Sequence, residues 1–512
     1  MQKNNRSNLV FKDYNFNQNL LLPPSLEELI CPNHPVYVVN KVVDNLNLDP
    51  IFKKYDGGGC PAYHPRLMLK VLVYGYLTNL YSSRKIEQAL HQNIHFMWLS
   101  GMSYPDHNTI NRFRSERLKG VLKEVFSQVV LLLIDHGHID LKEAYLDGTK
   151  IEANANRYTF VWGRAIDKSR ERIKQQLKEL WAYAESITKE ELENNEPESF
   201  EEIDAEKVTQ TIEQINKALV GKEVDTKTKQ KLNYARKNWP DNLKKYDHQK
   251  EQMGDRNSMS KTDPDATFMR MKEDHMLNGQ LKPAYNWQLS TQNQYILGYS
   301  IHQATTDTST LPEHMDSLIQ NLGVVPEVLV ADAGYGSEQN YEYLENKQIE
   351  AYVKFNNFHV EQSQKWKEDP CRTENLHYNK ERDCFYCPMG QEMDHVGYKT
   401  SKSALGYEQY YKQYQAKNCE GCPMRGPCHK GKGNRIISAS PKLMRYKQIV
   451  REKLCSDTGL KYRSQRPADV EAVFGNIKYN HNFKRFMLRG LEKTEIEAGL
   501  ISIAHNIRKL AN

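Results

Sequence analysis

The chain has 512 residues, of which 39% are hydrophobic and 27% are charged, with a formal net charge of +6. Its mean hydropathy is −0.77, as in soluble globular proteins, and no apolar run approaches the ~20 residues of a membrane span. The only early apolar run, Leu20–Leu22, is followed by two prolines, so no signal peptide is expected. A cytoplasmic protein of about three domains is predicted.

The first 138 residues are predicted to form a flexible arm and an all-helical domain. Residues 1–24 are polar and rich in asparagine, whereas 25–138 carry apolar residues at helical spacing. In this domain Asp106 is a good N-cap, and Ile110 and Phe113 are expected to face inward. This short helix is typical either of a DNA recognition helix or of an ordinary bundle helix. Its outer face is expected to carry Asn111, Arg112 and Arg114.

A short strand is predicted to end at Asp147, which is followed by Gly148. Beyond it, residues 164–261 combine helical spacing with an acidic stretch, Glu190–Glu206. This pattern predicts a helical hairpin inserted into an α/β domain. Its acidity argues against contact with a polyanion and favours a structural or dimerising role.

A second aspartate, Asp332, follows the unbroken apolar run Val328–Ala331, which predicts a strand buried on both faces. The order of strands and helices around it is that of a ribonuclease-H-like mixed sheet, built from residues 139–163, 262–357 and 441–512. The other predicted elements are strands at 285–291 and 295–302, joined by about four residues, helices at 311–322 and 338–347, and a strand at 349–354.

Each aspartate alone is explained by an Asx-turn or a helix cap. Two of them at strand ends in one chain nevertheless suggest a shared site, because open α/β sheets bind ligands at the carboxyl ends of their strands. The sequence therefore predicts a metal site that includes Asp147 and Asp332.

Residues 358–440 are predicted to be a Cys-rich insertion that binds zinc. Cys384-x-x-Cys387 and Cys419-x-x-Cys422 form a CxxC…CxxC pair, which is typical of a closed, structural zinc site. Cys428 and His429 are further candidate ligands. The alternative is a set of free cytosolic thiols.

The C-terminal region is strongly basic. Between Lys430 and Lys493 there are 16 Lys and Arg residues against 5 Asp and Glu residues, which suits a polyanion such as DNA or a solvated charged face. A helix is predicted here, with Glu471 and Lys478 on one face. The candidate DNA-binding residues of this region are Arg466, Lys478, Arg485 and Arg489.

Asp147, Asp332 and Glu471 would together supply three carboxylates, the ligands that Mg²⁺ (or Mn²⁺) prefers. The segments around them resemble the DDE transposases of bacterial insertion sequences, and specifically the eleven-eighty-two group. The resemblance covers roughly residues 25–510, except the acidic helical insertion. The matching motifs are Asp147-Gly-Thr-Lys-Ile-Glu-Ala-Asn-Ala, Thr262-Asp-Pro-Asp-Ala, Tyr285-Asn-x-Gln, Ala331-Asp-Ala-Gly-Tyr and Glu471-Ala-Val-Phe-Gly-Asn-Ile-Lys478.

The resemblance implies a transposase that binds terminal inverted repeats, cleaves the strands with two Mg²⁺ ions and joins the 3′ ends to target DNA. It implies double-stranded DNA as partner, a homodimer in the DNA complex, and Asp147, Asp332 and Glu471 as catalytic ligands. One departure concerns an arginine expected at 467, where the chain has Pro467, with Arg466 one residue away. For zinc it favours Cys387, Cys419, Cys422 and Cys428, with Cys384 as the alternate.

Two other functions remain open on the sequence. One is a domesticated or inactive transposase-derived protein that binds DNA without cutting it. The other is a stand-alone metal-dependent nuclease, which would need neither the helical N-terminal domain nor the Cys-rich insertion.

Overall fold

The computed structural model describes residues 25–55, 61–188, 203–271, 279–403 and 405–511. The predicted arm at 1–24 lies outside the described residues, as does most of the acidic stretch of the insertion. The described chain has a mixed α/β fold, as the sequence predicts, in which a mixed sheet is surrounded by many helices.

The N-terminal part is helical. Two of its helices begin in the same way, because His34 and His64 cap them through Nδ1 and a proline follows each histidine at the first helical position. Asp106 caps α6 as predicted, accepting a hydrogen bond of 2.6 Å from the Thr109 N–H. The helices are α1 (Pro35–Asp44), α2 (Asp49–Phe52), α3 (Pro65–Leu77), α4 (Ser83–Gln92), α5 (Ile94–Leu99), α6 (His107–Arg112) and α7 (Leu122–Asp135).

Arg114 does not face outward, so that prediction is wrong. It is 3% exposed and donates hydrogen bonds to the Tyr76 hydroxyl and the Tyr81 carbonyl. Its guanidinium also lies 3.8 Å from the buried carboxylate of Glu497. Arg114 follows Ile110 by one helical turn, which places it on the same inward face.

The helical insertion follows β1 (Glu143–Glu152) in the chain. It is flanked by β2 (Phe160–Trp162) and β3 (Ser258–Ser260), which pair antiparallel. Its described residues form three helices with their own apolar core, so the predicted two-helix hairpin is wrong. The third helix was missed because few apolar residues mark it. The three are α8 (Gly163–Thr188), α9 (Ala205–Ala218) and α10 (Thr226–Met253).

The central sheet pairs β5 with β1, β1 with β7, and β7 with β8, and both β4 and β6 pair with β5. Pairing is parallel across β1, β7 and β8 and antiparallel elsewhere. The predicted hairpin is confirmed, but it turns through only Asn293 and Gln294, both with positive φ. The remaining elements are β4 (Thr267–Arg270), β5 (Leu281–Gln292), β6 (Tyr295–His302), α11 (Leu311–Leu322), β7 (Val328–Ala331), α12 (Glu338–Asn346) and β8 (Glu350–Val353).

The Cys-rich insertion folds as a five-stranded antiparallel sheet, which the sequence did not predict. Phe385, Met393 and Tyr414 form its small core together with Cys419. Its elements are α13 (Gln364–Lys367), β9 (Tyr378–Asn379), β10 (Cys384–Tyr386), β11 (Glu392–Lys402), β12 (Glu408–Ala416), α14 (Arg425–Cys428) and β13 (Ile436–Ala439).

The C-terminal segment returns to the central sheet as α15 (Pro441–Cys455), α16 (Asp457–Arg466), α17 (Ala472–Gly475) and α18 (Leu491–Leu510). The π-helical turn Pro467–Glu471 joins α16 to α17, and a second, Asn476–Asn480, extends α17. The continuous helical segment 457–480 is here called the glutamate helix. It packs on β5, β1 and β7.

One apolar core joins the N-terminal helices, the central sheet and α18. At its centre Glu497 accepts hydrogen bonds from Tyr76 and from the backbone N–H groups of Met487 and Leu488. Burial of a carboxylate is tolerated when several donors and a cation compensate it. Within the described ranges, no helix is both long enough and apolar enough to cross a membrane.

Candidate active site

The register of the central sheet brings the two aspartates together. In the parallel pairing of β1 with β7, Leu146 is opposite Ala331, so Asp147 and Asp332 are the next residues on adjacent strands. Asp147 does not end its strand as predicted, because β5 continues to pair with β1 as far as Glu152. The site therefore lies where β7 ends and β1 continues.

Asp332 also has the ordinary role that the sequence left open. Its Oδ1 accepts a hydrogen bond of 2.8 Å from the Gly334 N–H and so caps the short helical turn Ala333–Tyr335. The cap fixes the carboxylate, whose side chain is still 38% exposed. A capping role and a ligand role are compatible here because only one of the two oxygens is bonded to the turn.

Arg466 connects the three predicted carboxylates. Its Nη2 lies 3.1 Å from Asp147 and 3.9 Å from Asp332, and its Nη1 lies 2.6 Å from Glu471. The arginine is 6% exposed, and its Nε has no hydrogen-bond partner within the described chain. A buried guanidinium surrounded by three carboxylates shows that the site is built to hold positive charge.

A π-helical turn accounts for the one-residue departure at Pro467. The turn Pro467–Glu471 holds one more residue than an α-turn would, so Arg466 reaches the glutamate although five positions separate them. The contact of Arg466 with DNA stays a prediction; in the structure its guanidinium faces the three carboxylates.

Asp469 and Glu471 point to different surroundings, as the helix register predicts. The Asp469 carboxylate is buried, and its Oδ1 accepts hydrogen bonds of 2.6 Å from Thr291 and 3.1 Å from the Gln294 N–H. Burial raises the pKa of this carboxyl. Asp469 lies two residues after Pro467, within the glutamate helix.

The carboxylates line an open pocket of about 400 Å³. Lys478 lies in the same pocket as Glu471, one face of the helix supplying both, as the spacing predicts. Lys478 is only 6% exposed, whereas the neighbouring Tyr479 is 60% exposed. The other lining residues are Gly148, Thr149, Phe474 and Gly475.

A fourth carboxylate beside the site was missed by the sequence analysis. Asp307 Oδ1 accepts hydrogen bonds of 2.7 Å from Asn286 and 2.9 Å from Gln288. Gln288 in turn accepts a hydrogen bond from the buried Tyr335 hydroxyl. Burial, followed by the charges of Asp307, Asp147 and Asp332, raises the pKa of Tyr335 well above its ordinary value. The Tyr285-Asn-x-Gln motif gave the partners, but nothing in the polar run around Asp307 indicated its role.

No group of three His, Cys, Asp or Glu side chains in the described ranges stands ready to bind a metal ion. Among Asp147, Asp332 and Glu471 the space for a cation is taken by the guanidinium of Arg466. Their donor set nevertheless fits Mg²⁺, because all three are oxygen ligands already gathered around one positive charge. A divalent cation could replace the guanidinium if the arginine side chain moved aside.

Two basic residues hold a turn beside the pocket. Arg485 donates hydrogen bonds of 3.1 Å to the carbonyls of both Ala153 and Ala155, and Arg489 donates one of 2.8 Å to the Asn154 carbonyl. Both arginines are also exposed.

In the N-terminal region Asn111 and Arg112 are exposed on α6, as predicted. Their contact with DNA stays a prediction.

Two segments of the chain match known protein families. A family model described as transposase DDE domain matches residues 386–511, and one described as transposase domain (DUF772) matches residues 24–116. The two matches support a DDE transposase. The first includes Arg466, Glu471 and Lys478, whereas Asp147 and Asp332 lie outside both. No curated protein matches the chain, and no solved structure does.

The two matched segments meet in the structure, because α18, in the first, packs against α3, in the second. The segment between them carries both aspartates of the site, on β1 and after β7. The pocket thus combines Arg466, Glu471 and Lys478 from the first matched segment with two aspartates from the unmatched segment.

Some of the cysteines of the Cys-rich insertion lie close together, around Arg435. Cys428 accepts a hydrogen bond of 3.1 Å from the Arg435 side chain, and Cys419 accepts one of 3.4 Å from the Arg435 N–H. Cys371 lies beside Cys428, and their contact, after burial, raises the pKa of the Cys371 thiol. Cys384 is buried within β10. The four predicted ligands supply the thiolates that zinc prefers, but they are not gathered into one cluster.

Zinc binding by Cys387, Cys419, Cys422 and Cys428 stays a prediction with a direct test. Protein purified without chelator is expected to contain about one zinc per chain by elemental analysis. Cys422→Ser is expected to lose the metal and to lower the unfolding temperature, because a structural metal contributes folding free energy. Cys455→Ser, an exposed cysteine outside the insertion, is the control. A metal-free protein with unchanged stability in both variants would leave the cysteines as free thiols.

Proposed function

We propose that this chain is a DDE transposase of an insertion sequence. It binds the terminal inverted repeats of its element, cleaves the DNA strands with two Mg²⁺ (or Mn²⁺) ions, and joins the 3′ ends to target DNA. The observation that carries the proposal is the convergence of Asp147, Asp332 and Glu471 on one buried guanidinium in an open pocket. The two transposase matches support the same function.

The proposal includes a ribonuclease-H-like arrangement of the catalytic domain. An antiparallel hairpin of β5 and β6 lies beside β1, followed by parallel β7 and β8, which is the order that the sequence analysis expects of that fold. It also includes the eleven-eighty-two group, a cytoplasmic location and a homodimer in the DNA complex, since the two ends of an element must be held together.

The carboxylates would hold the cations, and the cations would supply a polarised phosphate and an activated water or hydroxyl. The residues of this chain set the geometry. Asp332 is fixed by its cap on Gly334, and Asp147 by its place in the sheet. Glu471 comes from a different element, so its distance from the aspartates depends on how the glutamate helix packs on β1 and β5.

Arg466 and Lys478 have separate roles in this proposal. Arg466 balances the charge of the carboxylates when no cation is bound, which keeps three negative groups from repelling one another in a half-buried site. Lys478 lines the same pocket as Glu471, where its ammonium group would pair with a phosphate of bound DNA.

The rival functions predict different products. A transposase joins the element's 3′ ends to a second DNA molecule, a nuclease cuts without joining, and a DNA-binding derivative does neither. Purified full-length protein, DNA carrying the native element ends, a supercoiled target plasmid and Mg²⁺ make the test. Sequenced element–target junctions are the expected result. Cutting that ignores the element ends would favour the nuclease instead.

Lys478→Ala is expected to weaken binding of the element ends and to lower the slope of log affinity against log salt by about 1, the effect of one lost phosphate contact. Gel shifts over a salt series measure both quantities. Lys227→Ala, which removes an exposed lysine from the helical insertion, is expected to leave the slope unchanged. Equal slopes for wild type and Lys478→Ala would show that this lysine does not contact a phosphate.

A further inference from the structure

Asp307 lies against both of the glycines that follow the catalytic aspartates. A Cβ on Gly148 would stand 2.6 Å from Asp307 Oδ1, closer than any real contact of that kind. A Cβ on Gly334 would stand 3.6 Å from Asp307 Oδ2 and 3.0 Å from Asp332 Oδ1. The lack of a side chain at Gly148 therefore makes room for the Asp307 carboxylate, which also reaches the turn at Gly334.

The orientation of the Asp307 carboxylate is fixed by side-chain amides on β5. Asn286 and Gln288 both donate to Oδ1, and within the described residues no hydrogen bond to the carboxylate comes from the first turn of α11. This side chain is therefore not a helix cap. Both amides bind Oδ1, and the other oxygen, Oδ2, lies on the side of Gly334.

Hydrogen bonds connect the loop that carries Asp307 to the turn after Asp332. Thr308 donates a hydrogen bond of 2.9 Å to the Gly334 carbonyl. Asn340 donates hydrogen bonds to the carbonyls of Thr308 and Tyr335, of 2.9 and 2.8 Å. A movement of Asp307 would therefore also displace the turn that Asp332 caps.

We propose that Asp307 is a positioning residue of the cation site. It sets the spacing between the Asp147 strand and the Asp332 turn, and its negative charge increases the affinity of the site for divalent cations. This inference rests on the proposed function. It adds a fourth carboxylate, from the loop before α11, to the three that bind the cations directly.

The substitution Asp307→Asn separates charge from shape. The asparagine Oδ1 can still accept both amide hydrogen bonds, so the fold and end binding are expected to persist. The Mn²⁺ dissociation constant of the full-length protein, measured by electron paramagnetic resonance, is expected to rise roughly tenfold. That is the scale of one unit charge acting on a divalent ion over several ångströms in a water-like dielectric. The Mg²⁺ concentration for half-maximal cleavage should rise similarly, with cleavage restored at saturation.

Two further variants serve as controls for the cation affinity and the cleavage of Asp307→Asn. Asp316→Asn removes an exposed aspartate on α11 that pairs with Lys347, and is expected to leave cation affinity unchanged. Asp332→Asn is expected to lose cleavage at every Mg²⁺ concentration. If Asp307→Asn fails to fold, Asp307→Ser, which is smaller and also neutral, takes its place in the same measurements.

Wild-type Mn²⁺ affinity in the Asp307 variant would overturn this inference, whether its cleavage is normal or absent, while leaving the proposed function intact. Unchanged cleavage by Asp332→Asn would instead overturn the proposed function itself. Weaker Mn²⁺ binding with cleavage rescued by excess Mg²⁺ supports both.

Discussion

Asp332→Asn is expected to abolish strand cleavage while folding and binding of the element ends persist. The substitution keeps the size of the side chain, and the asparagine Oδ1 can still accept the capping hydrogen bond from Gly334. What is lost is a charged oxygen ligand at the end of β7. Cleavage should fall by about a thousandfold or more, as expected when a group essential to catalysis is removed.

The measurement is the rate at which labelled DNA with native element ends is cut in Mg²⁺. Gel shifts report end binding, and thermal unfolding reports the fold. Asp316→Asn, the same chemical change at an exposed position, should cut at the wild-type rate. An Asp332→Asn protein that cuts as fast as wild type would remove this aspartate from the catalytic site.

Glu471→Gln is expected to have an effect of similar size. The glutamate is the third carboxylate around Arg466, at 2.6 Å, and its side chain is 47% exposed to the pocket and solvent. A glutamine can keep one hydrogen bond to the arginine but cannot serve as an anionic ligand. Cleavage should therefore be lost, by about a thousandfold or more, without loss of end binding.

Asp469 is the matched control for Glu471, because it lies two residues away on the same helix and is bonded elsewhere. Asp469→Asn is expected to cut near the wild-type rate. Asp469→Ala also leaves the Thr291 hydroxyl and the Gln294 N–H without their acceptor, so it should destabilise the fold by about 1–3 kcal/mol. Catalysis lost in a folded Asp469→Asn protein and retained in Glu471→Gln would show that the helix register is wrong.

Local patterns in the sequence predicted much of the central domain. The helix Leu311–Leu322 was predicted at the bounds that the structure shows, because an apolar stripe, Pro312 and Gly323 mark it clearly. The strand Val328–Ala331 was equally clear from its unbroken apolar run. The alternation along β5 and β6 gave the hairpin, although not its two-residue turn.

The features that the sequence did not reveal depend on tertiary contacts. Asp147 was placed at a strand end because the β5 pairing that extends β1 is non-local. The role of Arg466 depends on a π-helical turn, which no residue pattern marks. Asp307 is a polar residue in a polar loop, and its place beside Gly148 and Gly334 follows only from the fold.

The most direct test maps the 3′ ends that wild-type protein releases from DNA carrying the native element ends in Mg²⁺. Denaturing electrophoresis against a sequencing ladder locates each cut to one nucleotide. We expect 3′ hydroxyl ends at the terminus of the inverted repeat with wild-type protein, and none with Asp332→Asn or Glu471→Gln. A folded wild-type protein that binds these ends but releases no 3′ hydroxyl there would contradict a catalytic role for the three carboxylates.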